Sequence, residues 1–553
     1  MAAEEPIEQP TRDAERAEKT APAPHVRLRA LPAAGLAVLS GALYWGAFPG
    51  VDVWPLAFVA WAPLLVAIYD QPPRRALWLG LLQGLTANVL GFYWLFGMLK
   101  TFSGFPDALC ALFMLLLCAY QGGRMAFMTW LYGRASRRGW PAATIFLLAF
   151  SASELVYPLL FPWYTGAQTH TVPMLMQLAD VGGPIAIGLA LAGSSLALAE
   201  PVWARLDRRP VDRRRLVLSL LGPAILVAYG AIRLPMVDRA IAAAPAAKVG
   251  VVQGNMALMG QEHRDPRPLH RQATLRLEAE EHPDLVVWSE AAIAYPFEEE
   301  LLPLLMRDTV LRDPRDRAGN GGIKTPVLTG VIVDRSPMLP PGQRPKRGER
   351  REMYNSAVLV EPDGHVDGAY DKTYLLAFGE YIPFGDWFPQ LYEMSPNSGQ
   401  LSKGTGIEPI HFDHGGEHRI TTLICYEDIL PGFVNGAVRH GDPDLLVNLT
   451  NDAWFGRSTE PAIHLALAKF RAVEHHRYLV RATNSGISAW IDAAGRSRGE
   501  TPLFQLVARA EEIHWMRGKT LYELVGDVPW WLATLAVVVM GFVDKRRLFA
   551  RAA

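Results

Sequence analysis

Three short segments of the chain end in side chains able to do covalent chemistry. "DLVVWSE" closes on Glu290, "GAYDKTYLLAFGEYIPF" carries Lys372, and "TTLICYEDILPGF" sets Cys425 at the end of a strand-forming run. A cysteine beside a carboxylate base can act as a nucleophile when the base removes the thiol proton during attack. A lysine can stabilise the oxyanion that forms on an attacked carbonyl. Its charge also offsets the carboxylate, which would otherwise raise the thiol pKa. Backbone N–H groups just after Cys425, at a strand-to-helix turn, would complete an oxyanion hole. Yet Glu427 and Asp428 follow the cysteine directly, and acids there should make a thiolate harder to form. Singly, a Glu, Lys or Cys at a strand end is more often structural than chemical. The three gain meaning from the text around them.

That text reads as a layered α/β domain. Short, punctuated apolar runs predict buried strands: "AKVGVVQGN", "PDLVVWSE", "TPVLTGVIVD", "YNSAVLVEPDG", "ITTLICYED", "PDLLVNLTND" and "ISAWIDAAG". Helical stretches alternate with them, among them 269–281 and 462–477. There is no internal repeat. The Pro- and Arg-rich stretch 334–352 reads as a mobile insertion between two strands.

The preceding part of the chain is different. A spanning helix needs roughly 20 mostly apolar residues. Seven candidates begin near Leu31, Val53, Ala76, Ala108, Ala142, Met174 and Leu216, and an eighth occupies 528–543. No signal-peptide pattern precedes the first run, so it is expected to stay as an anchor. Arg or Lys follows each even-numbered crossing, in "QPPRRA", "GRASRRG", "ARLDRRPVDRRR" and "DKRRLFAR". The other short loops carry little positive charge, which sets both termini in the cytoplasm and the segment from about Pro235 to Asp527 outside. Residues 1–27 are charged and rich in Ala, Pro and Glu, a disordered composition. The 553-residue chain has a formal net charge of -1, which speaks against a nucleic-acid partner. Its three cysteines make no disulfide framework, and Cys110 and Cys118 read as small hydrophobes in a membrane helix.

The Glu, Lys and Cys segments, followed by "NLTNDAWFG", stand in the order and spacing of the nitrilase (carbon–nitrogen hydrolase) superfamily, which they resemble. Members of that superfamily use a Glu-Lys-Cys triad. The whole architecture, 31–547, resembles the apolipoprotein N-acyltransferase family, on "FGEYIPF", "ICYE", "NDAWFG" and "RATNSGISAWID"; "FPWYTGAQ" is similar to that family's loop between its fifth and sixth helices. The resemblance implies a multi-span α-helical membrane domain plus an external α/β nitrilase-like α-β-β-α sandwich domain. The expected division is a disordered cytoplasmic tail (1–27), seven transmembrane helices (28–235), a periplasmic catalytic domain (246–517), an eighth helix (528–543) and a cytoplasmic tail (544–553).

Carried over by position, Glu290 is the general base, Lys372 the oxyanion partner and Cys425 the acyl-carrying nucleophile. Glu380 orients Lys372 or shares its proton work, and Tyr426 and Glu427 shape the wall beside the thiol, with Glu427 turned towards structure. Trp454, Phe455 and Tyr381 are expected to contact lipid. The implied reaction is ping-pong acyl transfer from a phospholipid donor to the α-amine of a diacylglyceryl-lipoprotein acceptor, in the bacterial inner membrane, with no metal or organic cofactor. The alternative is a membrane-tethered carbon–nitrogen hydrolase (an amidase) using the same triad, and a further rival is a non-enzymatic scaffold. The chain departs from the family pattern in having no Trp after "VVQGN", in Ser289, in Asn484 followed by Ser485, and in the length of the 334–352 insertion.

Other polar residues take blander readings. Glu154, inside a crossing, is read slightly in favour of a buried hydrogen-bonding group over a functional acid. Gln83 and Asn88 read as packing contacts. His464, His475 and His476 lack the spacing of a ligand set and read as surface or packing residues. Reporter fusions test the topology: a fusion after Arg215 should report cytoplasm and one near Pro245 the outer compartment. The reverse pattern would overturn the helix count.

Overall fold

The apolar runs of the segment after the helical part are buried on both faces, and this dictates a layered structure. The computed structural model describes residues 27–256, 265–313, 315, 321–337, 351–388, 390–394 and 399–545. The expected N-terminal tail and the body of the 334–352 insertion therefore lie outside the described residues, as do residues 257–264, where the family's Trp would fall, and most of the C-terminal tail.

One sheet contains β1 (Ala246–Gln253), β2 (Leu285–Trp288), β3 (Ile293–Glu298), β4 (Val327–Asp334), β5 (Met353–Val360), β6 (Val366–Asp371) and β13 (Val507–His514). Its order is β13-β1-β2-β4-β5-β6, with β3 also pairing β4. The second sheet contains β7 (Ile410–Asp413), β8 (Glu417–Ile424), β9 (Leu445–Thr450), β10 (Tyr478–Thr483), β11 (Ala489–Ile491) and β12 (Ser497–Arg498), in the order β12-β11-β10-β9-β8-β7. The centre of each is parallel: β1 with β2 and β4 in the first, β8 with β9 and β10 in the second.

Alternation along each strand divides its side chains between two cores. Leu285 and Val287 of β2 join Leu445, Val447 and Leu449 of β9 in the core between the sheets. Val286 and Trp288 face the other way, against Leu277 of the helix Pro266–Glu281. Leu446 likewise packs against the helices Pro431–Gly441 and Glu460–His475. The result is the expected four-layer α-β-β-α sandwich. Trp490 ties its two sheets together by donating Nε1–H to Val249 O at 2.9 Å.

Among the described residues, three helices are long and apolar enough to cross a membrane: Asp107–Ser136, Ala179–Leu206 and Arg213–Ala243. Pro73–Gly91 and Leu95–Thr101, bent by 61° at their junction, would make a fourth span if taken together. Ala30–Gly46, Trp54–Ala67, Ala142–Val156 and Val528–Phe542 are shorter apolar helices at the remaining expected positions. Trp54–Ala67 is broken into two pieces, each opening with a proline in its first turn (Pro55 and Pro63), where a missing N–H costs least. The helix beginning at Arg213 does not stop at the boundary expected near Pro235. It continues through Pro235 to Ala243, and Val237 joins the core between the sheets. The two domains are thus joined by continuous helix.

Candidate active site

The turn after β2 carries Glu290. Gly330 on β4 makes room for it: a Cβ there would sit 2.6 Å from both Ser289 O and Ala291 N. Lys372 follows β6, and its backbone N–H donates to Asn355 O on β5 at 2.8 Å. β8 ends at Ile424, and Cys425 opens a tight helical turn, Cys425–Ile429, with φ +51°. A non-glycine residue in this left-handed region costs on the order of 1–3 kcal/mol and persists only when its surroundings dictate it. The first N–H groups of such a turn have no partner within it, so the turn supplies donors next to the sulfur.

These three loops meet. The buried Lys372 ammonium lies 2.9 Å from Glu380 Oε2 and 3.5 Å from Glu290 Oε1. Asn355 Nδ2 donates to Glu290 Oε1 at 2.8 Å and to Glu380 Oε1 at 3.1 Å. The Cys425 sulfur lies close enough to Glu290 and Lys372 for their charges to act on it. Burial pushes Glu290 above the ordinary carboxylate range, against Lys372 and with the help of Glu380. Burial also pushes the Cys425 thiol well up, Glu290 adds to this, and Lys372 opposes it. Lys372 itself is held well above its ordinary value, because Glu380 and Glu290 outweigh the burial that opposes its charge. The resting arrangement is a neutral thiol beside an ammonium and a base of heightened proton affinity, which is suited to removing the thiol proton during attack.

Glu427 faces away from this chemistry. Its Oε1 accepts Thr373 N–H, Tyr374 N–H and Tyr370 O–H, each at 2.8 Å, and its Oε2 accepts Ile424 N–H at 2.8 Å. It therefore binds the Lys372 loop to the strand that ends at Cys425. Burial pushes Glu427 up to about 7, while Lys372 and those donors pull the other way.

A cleft of about 580 Å³ lies beside the site. Leu159 and Leu160 of the membrane domain form one part of its wall, and Leu376, Tyr381, Ile382 and Tyr426 form another. Tyr426 spans the two domains, donating its hydroxyl to Leu160 O at 2.8 Å. Its ring stacks on Tyr374 with 5.9 Å between centroids. Of the three residues expected to contact lipid, Tyr381 lines this cleft. Trp454 and Phe455 are not among the residues that wall it, and Phe455 packs edge-on against Trp94 at 5.1 Å.

Of the surface and packing readings given to the three histidines, the packing one holds. None is at the surface, because the helix Glu460–His475 is buried between the second sheet and the helix Ala179–Leu206, which leaves all three histidines buried. His464 bonds Asp428 Oδ1 at 2.8 Å and Asp452 Oδ1 at 3.2 Å. Ligand atoms of Asp452, Glu460 and His464 lie within 4.8 Å of one another. However, both ring nitrogens of His464 are engaged, and Arg481 Nη2 sits 3.1 Å from Asp452 Oδ2. Burial, with Asp452, pushes Glu460 well above the carboxylate range. The charges balance inside this group and leave none for a cation to neutralise.

Glu154 is buried and accepts Thr165 N–H at 2.8 Å and Thr165 O–H at 2.6 Å, with Arg124 Nη1 3.7 Å away. This is the structural role expected. Sequence reading missed its partner Arg124, whose only signal is a lone charge inside "QGGRMAF". It also missed Asn355, Thr450 and Arg481, which look like ordinary strand residues.

Comparison with known proteins gives a consistent result. The family model described as "Apolipoprotein N-acyltransferase N-terminal domain" matches residues 40–197, and that described as "Carbon-nitrogen hydrolase" matches 248–514. An apolipoprotein N-acyltransferase from Geobacter metallireducens is 33% identical over 93% of this chain and 95% of its own. One from Azotobacter vinelandii is 33% identical over 94% of this chain and 96% of its own. Among solved structures, an amidase from Nesterenkonia sp. AN1 is 18% identical, covers 50% of this chain and 92% of its own, and has a TM-score of 0.33, too distant a likeness to add weight.

Two outcomes follow from the geometry. Since Glu290 raises the thiol pKa and Lys372 lowers it, the pH profile for alkylation of Cys425 by iodoacetamide should move to lower pH in Glu290→Gln and to higher pH in Lys372→Ala. Peptide mass spectrometry reads this, and coincident profiles would show that the three groups do not interact. Glu427→Gln places an amide N–H₂ against backbone N–H donors whichever way the amide is turned. An unsatisfied buried donor costs about 1–3 kcal/mol, so thermal unfolding should come several degrees earlier; an unchanged midpoint would remove Glu427 as the link between the loops.

Proposed function

The chain belongs to the apolipoprotein N-acyltransferase family, and on that premise we propose that Cys425 carries a fatty acyl group from a phospholipid to the α-amine of an S-diacylglyceryl cysteine. The observation that carries this reading is the buried, electrostatically coupled set of Glu290, Lys372 and Cys425 beside a cleft walled jointly by the membrane domain and the loop after Lys372. A cleft built this way admits lipid from the side.

In the first half-reaction the sulfur attacks the ester carbonyl. A C–S bond forms, the C–O bond to the glycerol breaks, and the thiol proton passes through Glu290 to the departing lysophospholipid oxygen. Lys372 and the N–H groups of the Cys425 turn hold the oxyanion. In the second, the neutral α-amine attacks the thioester. A C–N bond forms, the C–S bond breaks, and Glu290 moves the amine proton to the departing thiolate. Glu380 keeps Lys372 in place through its 2.9 Å contact.

The loop after Lys372 exposes Phe378, Phe384, Trp387 and Phe388, more than half of each surface being open. Aromatic rings suit the boundary between lipid and water, which supports a position for this loop against the outer leaflet of the bacterial inner membrane. Arg- and Lys-bearing loops on the opposite side support the same orientation.

Protein incubated with phospholipid and no acceptor should gain a fatty-acyl adduct on Cys425, seen by mass spectrometry and persisting for minutes in detergent. A diacylglyceryl-cysteine peptide should discharge it, and the same peptide with a blocked α-amine should not. Cys425→Ser should form none, and Lys372→Ala should form it on the order of 10²–10³ times more slowly. Rapid loss of the adduct to free fatty acid, with or without peptide, would replace acyl transfer by hydrolysis.

A further inference from the structure

Beneath the turn that carries Cys425 lies a second group of buried charges that takes no part in the chemistry above. Asp428 belongs to that turn, three residues after the nucleophile. Its Oδ1 meets His464 Nε2 at 2.8 Å and its Oδ2 accepts Arg481 Nη1–H at 2.9 Å. Arg481 Nη1 also donates to Asn448 Oδ1 at 2.8 Å, and Asn448 Nδ2 donates to Leu423 O and Cys425 O, both at 3.3 Å. The far side of His464 meets Asp452 Oδ1 at 3.2 Å, and Thr450 Oγ1 donates to that same oxygen at 3.4 Å. Gly486 leaves room for this carboxylate: a Cβ there would come within 2.0 Å of Asp452 Oδ2. Thus β9, β10 and the helix Glu460–His475 all converge on one short turn.

We propose that His464 is a positioning residue for the nucleophile: clamped between Asp428 and Asp452, it locks the Cys425 turn in the left-handed conformation that presents the sulfur to Glu290. Two features support this. The strain at Cys425, φ +51°, needs surroundings that dictate it, and the contacts to Asp428 and to Cys425 O act at the two ends of the strained segment. Burial and Arg481 work against a charge on His464, yet Asp428 and Asp452 hold it protonated, pushed up to about 10. Both ring nitrogens are then donors, matching two acceptor carboxylates. A charged donor to a buried carboxylate makes one of the stronger hydrogen bonds available to a protein. The clamp therefore acts through Asp428 and does not touch substrate.

The inference rests on the acyl-transfer reading, and one experiment separates the two. His464→Gln places an amide N–H₂ near the position of Nε2 and keeps the bond to Asp428. His464→Asn reaches only the Nδ1 side and loses it. Each is incubated with phospholipid vesicles and no acceptor, and the rate of adduct formation on Cys425 is followed against lipid concentration in monodisperse protein. His464→Asn should slow the saturated rate at least tenfold with the half-saturating lipid concentration within twofold, while His464→Gln stays within threefold of the unaltered protein. An unaltered rate in His464→Asn, equal losses in both variants, or a loss confined to half-saturation would overturn the proposal. If His464→Asn yields no monodisperse protein, Asp428→Asn removes one of the two clamps from the other side, with the same tenfold loss expected and a native rate overturning the proposal. No adduct in the unaltered protein would overturn the acyl-transfer reading, and this proposal with it.

Discussion

A buried ammonium is the constraint from which the rest follows. Taking such an ion out of water costs several kcal/mol unless partners restore what water gave it. Lys372 has two carboxylate partners, Glu290 and Glu380, and Asn355 is bonded to both of them. No single element can supply this set. Glu290 comes from the end of β2, Asn355 from β5, Lys372 from the end of β6, and Glu380 from the loop beyond. The sheet order β2-β4-β5-β6 brings the first three together. The nucleophile comes from β8 in the other sheet, so the reacting atoms lie where the two sheets meet.

The same placement explains how the membrane domain is attached. The cleft is walled in part by the membrane domain, while the charges beside it need a rigid, dry surround. The seam between the domains meets that need with directed contacts. Tyr426 bonds Leu160 O, and Phe455 packs on Trp94. Asp180 of the membrane domain accepts Arg233 and Tyr229 and meets His476, where the kinked helix passes under the sandwich. Arg124 and Glu154 then hold the loop 161–169 against the helices from within. The walls of the cleft are thereby fixed to the same frame as the sulfur.

The sequence made the centre of this frame legible and left its edges dark, for physical reasons. Strands buried on both faces must be continuous apolar runs, so β1, β2, β4, β5, β8, β9 and β11 could be read directly. Edge strands carry no such signature. β6 reads "VDGAYD", β13 reads "VARAEEIH", and β3 contains Pro296 at an irregular pairing. The triad was legible because its members stand at strand ends. Asn355 and Arg481 were not, since a polar residue within an apolar strand looks the same whether it bonds a neighbour or a catalytic group. For His464 the sequence left surface and packing open, because a polar residue on a helix often marks an exposed face, and only the tertiary packing shows that this helix is buried.

The acids beside Cys425 are where local and global reasoning conflict most sharply, and the structure resolves the conflict by division of labour. Both acids are turned away from the sulfur and held by donors: Glu427 by backbone N–H groups and Tyr370, Asp428 by His464 and Arg481. Each binds the strained turn to a different part of the domain, one to the Lys372 loop and one to the second sheet. The carboxylate that faces the sulfur comes from far along the chain. This separation matters chemically. A thiol activated by its own neighbours would rest as a thiolate, open to oxidation and to stray electrophiles. A thiol kept neutral by burial, and deprotonated by a distant base only as a carbonyl accepts its electrons, stays inert until substrate fills the cleft. Acids near in sequence supply the rigidity, and the acid near in space supplies the base.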